Sequence, residues 1–247
     1  MEWNEPLYRE GSHVGVLVIH GFTGSPRSMH EYGLRLADAG LTVALPVLTG
    51  HGCTVEELER ARWTDWTANG EEAYAWLRGR TDRVFATGLS MGGTLALWLA
   101  ENHPELAGVV TVNAALDYRP REWMMHALGA CGIPRYLKAV GNDINKPGED
   151  ECAYDRIPTR ATRQFALLLA EVRQHLDRVH CPALVFSSKI DHTVPPANQQ
   201  TLYRGLGSAT KRLVMLDDSY HVATMDHDKE RIFADTLEFI RAHAADA

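Results

Sequence analysis

The sequence predicts an α/β protein in which a mostly parallel central sheet is flanked by helices. Short apolar runs rich in Val, Leu and Ile alternate with longer segments of helical periodicity, an order typical of successive β-α units. The short runs are continuously apolar, as in strands that are covered on both faces. At 247 residues the chain can form one such sheet, so we expect a single domain over residues 1–247 with one insertion.

Six strands and five helices are expected along the chain. The predicted strands are Gly15–Ile19, Leu41–Pro46, Val84–Gly88, Val109–Asn113, Ala183–Ser187 and Arg212–Leu216. The predicted helices are Pro26–Ala39, Trp63–Leu77, Met91–Asn102, Gln164–Val179 and about Lys229–His243. Proline in the first turn and glycine after the last turn favour the boundaries of the first helix, and a stripe of apolar residues supports the fourth.

The segment from about residue 115 to residue 160 shows no strand pattern, although two strands must be joined across it. Connections of this length are uncommon in compact domains, and the segment is too apolar for disorder. Because the insertion point overlies the sheet edge where such folds bind ligands, we expect a small helical cap above the site. A second helical layer packed away from any site is the alternative.

Composition excludes several classes of function. The net charge of -7 argues against nucleic acid as a partner, since binding it requires a basic face, and there is no polybasic patch for anionic membranes. No apolar run approaches the roughly 18 residues of a membrane helix, and the first residues show no secretory signal. We therefore expect a cytoplasmic protein without stable membrane anchoring. The cysteines and histidines lack metal-ligand spacing, and Gly88–Gly93 lacks the dinucleotide and P-loop spacings, so neither a metal nor a cofactor is expected.

The strongest functional pattern is Gly88-Leu89-Ser90-Met91-Gly92. This G-x-S-x-G sequence follows a predicted strand and precedes a predicted helix, the context of a nucleophile elbow on an α/β-hydrolase sheet. The turn is too tight for side chains on both sides of Ser90, which explains Gly88 and Gly92. The hydroxyl then lies at a helix N-terminus, where the helix dipole stabilises an anion. We predict that Ser90 is the nucleophile of a serine hydrolase.

A serine nucleophile requires a base and an acid that orients the base. In this fold they follow the serine in the order acid, then histidine. Asp191 comes just after the strand Ala183–Ser187, and His221 lies between the last strand and the last helix. His227 competes with His221 by residue type, but it lies where the helix should begin. Asp191 and His221 therefore complete the predicted triad, with His192 expected to face solvent.

The tetrahedral intermediate requires two fixed N–H donors. One is expected from Met91, the residue after the nucleophile, and the other from the loop His20-Gly21-Phe22-Thr23-Gly24 after an early strand. Phe22 is the predicted donor of that loop. For His20 we expect a role in shaping the loop through hydrogen bonds.

These motifs together resemble those of the bacterial monoacylglycerol lipases and thermostable carboxylesterases of Bacillus-type organisms. The resemblance rests on His20–Pro26, Gly88–Thr94 and Ser219–Thr224, and extends to Gly50–Gly52, Pro134–Leu137 and Asp191–Pro196. It implies hydrolysis of short- to medium-chain carboxylic esters through an acyl-enzyme, with monoacylglycerols as the natural substrate. It also implies a mobile cap that forms an acyl tunnel.

The resemblance further implies that a cap glutamate contacts the glycerol hydroxyls. Glu151 matches this glutamate best, with Glu149 as a neighbouring candidate. Met124, Leu128 and Ile133 are candidate contacts for the acyl chain, although helix packing explains them equally well.

Three other functions stay open at this point. A broad-specificity carboxylesterase, a thioesterase and an acyltransferase would use the same triad. A receptor or interaction protein can keep the fold without its chemistry, but the full set of motifs argues against it. Dehalogenases and epoxide hydrolases of this fold would resemble a version with aspartate at the elbow, so Ser90 argues against both. The sequence does not determine the oligomeric state.

Overall fold

A computed structural model describes residues 4–117, 134–139 and 141–244 of the chain. Its main sheet contains strands β1 (Leu7–Arg9), β2 (Val14–Ile19), β3 (Thr42–Leu45), β4 (Arg83–Leu89), β5 (Gly108–Val112), β8 (Ala183–Ser188) and β9 (Lys211–Leu216). The spatial order is β1-β3-β2-β4-β5-β8-β9. β1 pairs antiparallel with β3, and every other neighbouring pair is parallel. The mostly parallel sheet predicted from the sequence is confirmed.

Helices cover both faces of this sheet. They are α1 (Arg27–Asp38), α2 (Val55–Arg60), α3 (Trp63–Arg78), α4 (Met91–Asn102), α5 (Thr159–Arg173), α6 (Ala197–Gly205) and α7 (Lys229–Ala244). One apolar core lies between the sheet and α3, α4 and α5, and the other lies against α1 and α7. Burial of these two apolar layers is the main force that stabilises the fold.

The six predicted strands agree with the observed ones to within one residue at every end, but the fourth helix was placed wrongly. Its prediction, Gln164–Val179, begins too late, because α5 starts at Thr159 directly after Pro158. It also ends too late, because the chain leaves α5 at Arg173 and forms a separate 3₁₀ turn over Leu176–Arg178. Leu176 and Val179 are buried, so the apolar stripe continues past the end of the helix.

Short elements escaped the sequence analysis. β1, α2 and α6 are too short for a clear periodicity, although Thr54 and Glu57 form a reciprocal capping box at the start of α2. Within the described residues no helix is long and apolar enough to cross a membrane.

The inserted segment contains a two-stranded antiparallel sheet, where no strand was predicted. β6 (Tyr136–Lys138) pairs with β7 (Arg156–Pro158). Strands of three residues carry too little alternation to be recognised in a sequence. The part of the insertion that the structure describes, residues 134–139 and 141–158, contains no helix. The predicted helical cap around residues 118–133 lies outside the described residues.

Candidate active site

Ser90 lies in a strained turn between β4 and α4. Its backbone has a φ of 55° and a ψ of -118°, in a region that residues other than glycine rarely adopt. The amide of Ser90 donates a hydrogen bond to Val112 O at 2.9 Å, and its carbonyl accepts one from Thr94 N at 3.1 Å. These bonds to β5 and α4 hold the turn, so the hydroxyl stands at the carboxyl edge of the sheet.

The glycines around Ser90 are required by close backbone contacts. A Cβ atom on Gly88 would lie 2.1 Å from Gly92 C, and one on Gly92 would lie 2.1 Å from Ile19 O. A Cβ on Gly93 would lie 2.7 Å from the Cβ of Ala114. The elbow therefore cannot form in this geometry with larger residues at these positions.

His221 and Asp191 are hydrogen bonded to each other. His221 Nδ1 lies 2.8 Å from Asp191 Oδ2, and both residues are buried. The other carboxylate oxygen of Asp191 accepts hydrogen bonds from Thr193 N at 2.9 Å and Val194 N at 2.6 Å. Because one oxygen is held by the backbone, the other is directed at the imidazole.

The electrostatic environment favours a basic imidazole. Burial lowers the pKa of His221, but the charge and hydrogen bond of Asp191, together with the charges of Glu151 and Asp143, outweigh it and raise this pKa above its ordinary value. Of the competing histidines, His227 is exposed. His192 is also mainly exposed, but its Nδ1 lies 2.7 Å from Asp143 Oδ1.

The loop after β2 lies directly against Ser90. A Cβ on Gly21 would be 3.5 Å from Ser90 Cβ. His20 is fully buried, with its Nδ1 3.0 Å from Gly21 O and its Nε2 accepting from Leu48 N at 3.1 Å. Burial lowers the pKa of His20 to about 4, so this ring is neutral and shapes the loop. Met91 begins α4.

Ser90, His221 and Phe22 line one cavity of about 270 Å³. Its wall is predominantly apolar and includes residues of β6, β7 and α5, among them Leu137, Ile157, Phe165 and Leu169. A cavity with an apolar wall and few polar groups suits a small organic ligand with an apolar chain.

Glu151 supplies a carboxyl group to the same cavity. Its Oε2 would lie 3.4 Å from a Cβ on Gly24, which places it over the loop after β2. Burial raises the pKa of Glu151 to about 7, against the opposing effect of His221. Glu149, the alternative from the sequence, does not line this cavity and pairs with Lys146 at 2.8 Å. Met124, Leu128 and Ile133 lie outside the described residues.

Asn113 was not identified from the sequence, although it directly follows the buried strand β5 at the edge of the sheet where Ser90 lies. This asparagine has a φ of 46°. Its Nδ2 donates to His221 O at 2.8 Å and to Ser188 Oγ at 2.9 Å, while its Oδ1 accepts from Ser188 N at 2.8 Å. Asn113 therefore connects the ends of β5 and β8 to the loop that carries His221. A polar residue directly after an apolar run was the signal that could have identified it.

Comparison with known proteins gives the family. The model of the family described as serine aminopeptidase, S33 (Hydrolase_4) matches residues 12–228. A thermostable monoacylglycerol lipase of Bacillus sp. (strain H-257) is 47% identical to the chain over 240 residues, which are 97% of this chain and 95% of that protein. The chain therefore belongs to the Hydrolase_4 family, whose model matches most of it.

Other relatives agree with this assignment. A carboxylesterase of Bacillus subtilis (strain 168) is 28% identical over 96% of each chain. One solved structure comes from the description of LipS and LipT, two metagenome-derived lipolytic enzymes. It superimposes with a TM-score of 0.94 at 46% identity and covers 98% of this chain and 99% of that one. The structure of the Paleococcus ferrophilus monoacylglycerol lipase superimposes with a TM-score of 0.80 at 18% identity. It covers 97% of this chain and 98% of that one, which shows a common fold. The predicted α/β-hydrolase fold is confirmed, and the chain is a serine ester hydrolase.

Proposed function

We propose that the chain hydrolyses monoacylglycerols through an acyl-enzyme on Ser90. The observation that carries this proposal is one cavity that holds Ser90, His221 and the carboxyl group of Glu151 beside an apolar wall. A monoacylglycerol has the matching features, since its acyl chain is apolar and its glycerol carries two free hydroxyls. The 47% identical Bacillus relative is a monoacylglycerol lipase, which supports the same substrate.

In the proposed first step, His221 takes the proton from the Ser90 hydroxyl as the oxygen attacks the ester carbonyl. Asp191, bonded to Nδ1 at 2.8 Å, holds the ring with Nε2 available for this proton and stabilises the imidazolium. The N–H groups of Phe22 and Met91 are proposed to bind the oxyanion. Collapse of the tetrahedral intermediate breaks the ester bond, and His221 protonates the departing glycerol oxygen.

In the second step, water attacks the acyl-enzyme. His221 takes a proton from the water and returns it to Ser90 Oγ as the acyl–oxygen bond breaks, which releases the fatty acid. The apolar wall is proposed to hold the acyl chain throughout, because burial of each methylene contributes about 0.8 kcal/mol to binding.

Glu151 is the proposed contact for the glycerol hydroxyls. Its carboxyl group lies over the loop after β2, on which the proposed oxyanion donor Phe22 is located. A hydrogen bond between a hydroxyl and a charged group contributes about 1.5–3 kcal/mol, so above a pH of about 7, where Glu151 is ionised, this contact would favour glycerol over a simple alkyl leaving group.

The test compares 1-monolauroylglycerol with methyl laurate, two esters of the same acid. For the wild type we expect kcat/KM to be at least about tenfold higher for the glycerol ester. Glu151→Ala should remove this preference, and Glu149→Ala, a matched glutamate outside the cavity, should retain it. Ser90→Ala should be inactive towards both esters.

Equal rates on both esters would instead indicate a broad-specificity carboxylesterase; the Bacillus subtilis relative is a carboxylesterase. Faster turnover of a lauroyl thioester would indicate a thioesterase, and transfer of the acyl group to added alcohol an acyltransferase. The cytoplasmic location and the single domain with a cap over about residues 115–160 stay predictions.

A further inference from the structure

Asp143, in the inserted segment, contacts the loop that carries His221. It is nearly buried, with 8% of its surface exposed. Its Oδ2 accepts a hydrogen bond from His221 N at 3.4 Å, and its backbone oxygen accepts one from Val222 N at 3.1 Å. The insertion therefore holds the backbone of the His221 loop through two hydrogen bonds.

The same carboxylate also holds the loop of Asp191. Asp143 Oδ2 accepts from His192 N at 3.0 Å, and Asp143 Oδ1 lies 2.7 Å from His192 Nδ1. His192 directly follows Asp191 in the chain, so one buried carboxylate connects the backbone beside the acid with the backbone of the base.

We propose that Asp143 is a positioning residue of the reaction, which sets the separation of Asp191 and His221 and adds a negative charge near the His221 imidazole. This inference rests on the proposed function, in which His221 is the base. Hydrogen-bond geometry between base and acid is sensitive to small displacements, and a misplacement of about 1 Å can reduce a rate about 100-fold.

The charge of Asp143 has a consequence that can be measured separately from its hydrogen bonds. Burial lowers the pKa of His221, and three carboxylates oppose this: Asp191 from the loop after β8, and Glu151 and Asp143 from the insertion. Removal of the Asp143 charge must therefore lower the pKa of His221. In the pH profile of kcat/KM, the acid limb is the part where activity falls as the pH decreases. This limb reports the protonation of the base in the free enzyme, so it should move to lower pH.

Asp226 offers a matched control. It is fully buried and joins the inserted segment to the His221 loop, because it accepts hydrogen bonds from Asn145 N, Lys146 N and Tyr220 N at 2.7–2.9 Å. Its carboxylate has no hydrogen bond to His221 or Asp191 among those that it makes with the described residues. A loss of loop packing alone should affect both aspartates, whereas a positioning role belongs to Asp143.

The experiment measures kcat, KM and the acid limb for hydrolysis of p-nitrophenyl butyrate in the wild type, Asp143→Asn, Asp143→Glu and Asp226→Asn. A fluorophosphonate probe counts the active sites in each preparation. For Asp143→Asn we expect kcat to fall about 10- to 100-fold, KM to stay within about threefold, and the acid limb to move to lower pH. Asp143→Glu keeps the charge and should keep the wild-type limb, while Asp226→Asn should lower Tm without a shift of the limb.

Two results would overturn the inference. One is a kcat of Asp143→Asn within about twofold of the wild type with an unchanged limb; the other is the same kcat loss and limb shift in Asp226→Asn. The midpoint of the limb does not depend on how much of a variant folds, so poor folding leaves the test intact. His221→Ala separates the two proposals: if it stays active, the proposed function fails, whereas if it is inactive and Asp143→Asn is unchanged, only this inference fails.

Discussion

The two sides of the cavity are built in different ways. Ser90, Asp191 and His221 follow β4, β8 and β9 and are buried at 7%, 8% and 6% exposure. The strands of the inserted segment that line the cavity, β6 and β7, are instead only three residues long, and Arg135, just before β6, forms an ion pair with Glu59 at 2.6 Å. The groups proposed to carry out the chemistry thus lie at the ends of sheet strands, and part of the ligand wall lies on the short strands β6 and β7. Changes on β6 and β7 should therefore leave the reaction undisturbed, whereas Asp143, between these two strands, is hydrogen bonded to the loops of His221 and Asp191.

The largest effect on kcat is expected on the sheet side of the cavity, at Asp191. Replacement by Asn should reduce kcat about 10⁴-fold, because the imidazole is then held in the wrong tautomer and its cation is not stabilised. Steady-state kinetics with p-nitrophenyl butyrate measures the loss. Asp217→Asn, at an exposed aspartate paired with Lys189, is the control, and a similar loss there would contradict the assignment of Asp191.

Gly92→Ala tests the packing of the sheet side. Its added methyl would lie 2.1 Å from Ile19 O, which is a backbone atom of the buried strand β2 and not the end of a flexible side chain. We expect a loss of about 3 kcal/mol or more in the free energy of unfolding, measured by urea denaturation. Gly70→Ala in the middle of α3, where the nearest atom is 3.6 Å away, should instead stabilise the protein by about 0.5–1 kcal/mol. Equal effects at the two glycines would refute this reasoning.

Glu151 lies where the insertion meets the sheet, and it should make stability depend on pH. Burial raises the pKa of Glu151 to about 7. The stability that the protonated carboxyl allows is therefore fully present at a pH below the unfolded-state pKa of this group. It is lost as the pH rises through about 7, because the buried carboxyl must then ionise. Glu151→Gln should therefore unfold like the wild type near pH 4 and be more stable by about 2 kcal/mol above pH 8, after a discount for partial exposure. Urea titrations at both values measure this, and a constant difference across the range would contradict it.

The smallest effect is expected at the exposed contacts of the insertion. Arg135→Ala breaks the ion pair with Glu59, but water screens exposed pairs and their contribution is small. We expect a change in Tm of less than about 2 °C, with kcat unchanged. A large fall in kcat would contradict this and show that the contacts of Arg135 also position the catalytic groups. The double variant with Glu59→Gln would show whether the pair itself is responsible.

Much of the site could be predicted from the sequence because its signals are local. The glycines around Ser90 follow from one tight turn, and the positions of Asp191 and His221 follow from the strands that precede them. Glu151 was suggested by resemblance alone, and the cavity supports it over Glu149 because only Glu151 lines it. The helix over residues 159–173 was misplaced, because its first turn is polar and its apolar stripe continues into a 3₁₀ turn.

The sequence by itself determined the sheet, the elbow and the order of the chemical groups, since each depends on the period of apolar residues or on the steric limits of one turn. Only the tertiary structure decided which distant polar groups meet. Asn113 contacts His221 across 108 positions in the chain, and Asp143 contacts it across 78. No periodicity records such pairs, because they arise where loops from different strands converge on one buried edge and must satisfy each other's hydrogen bonds.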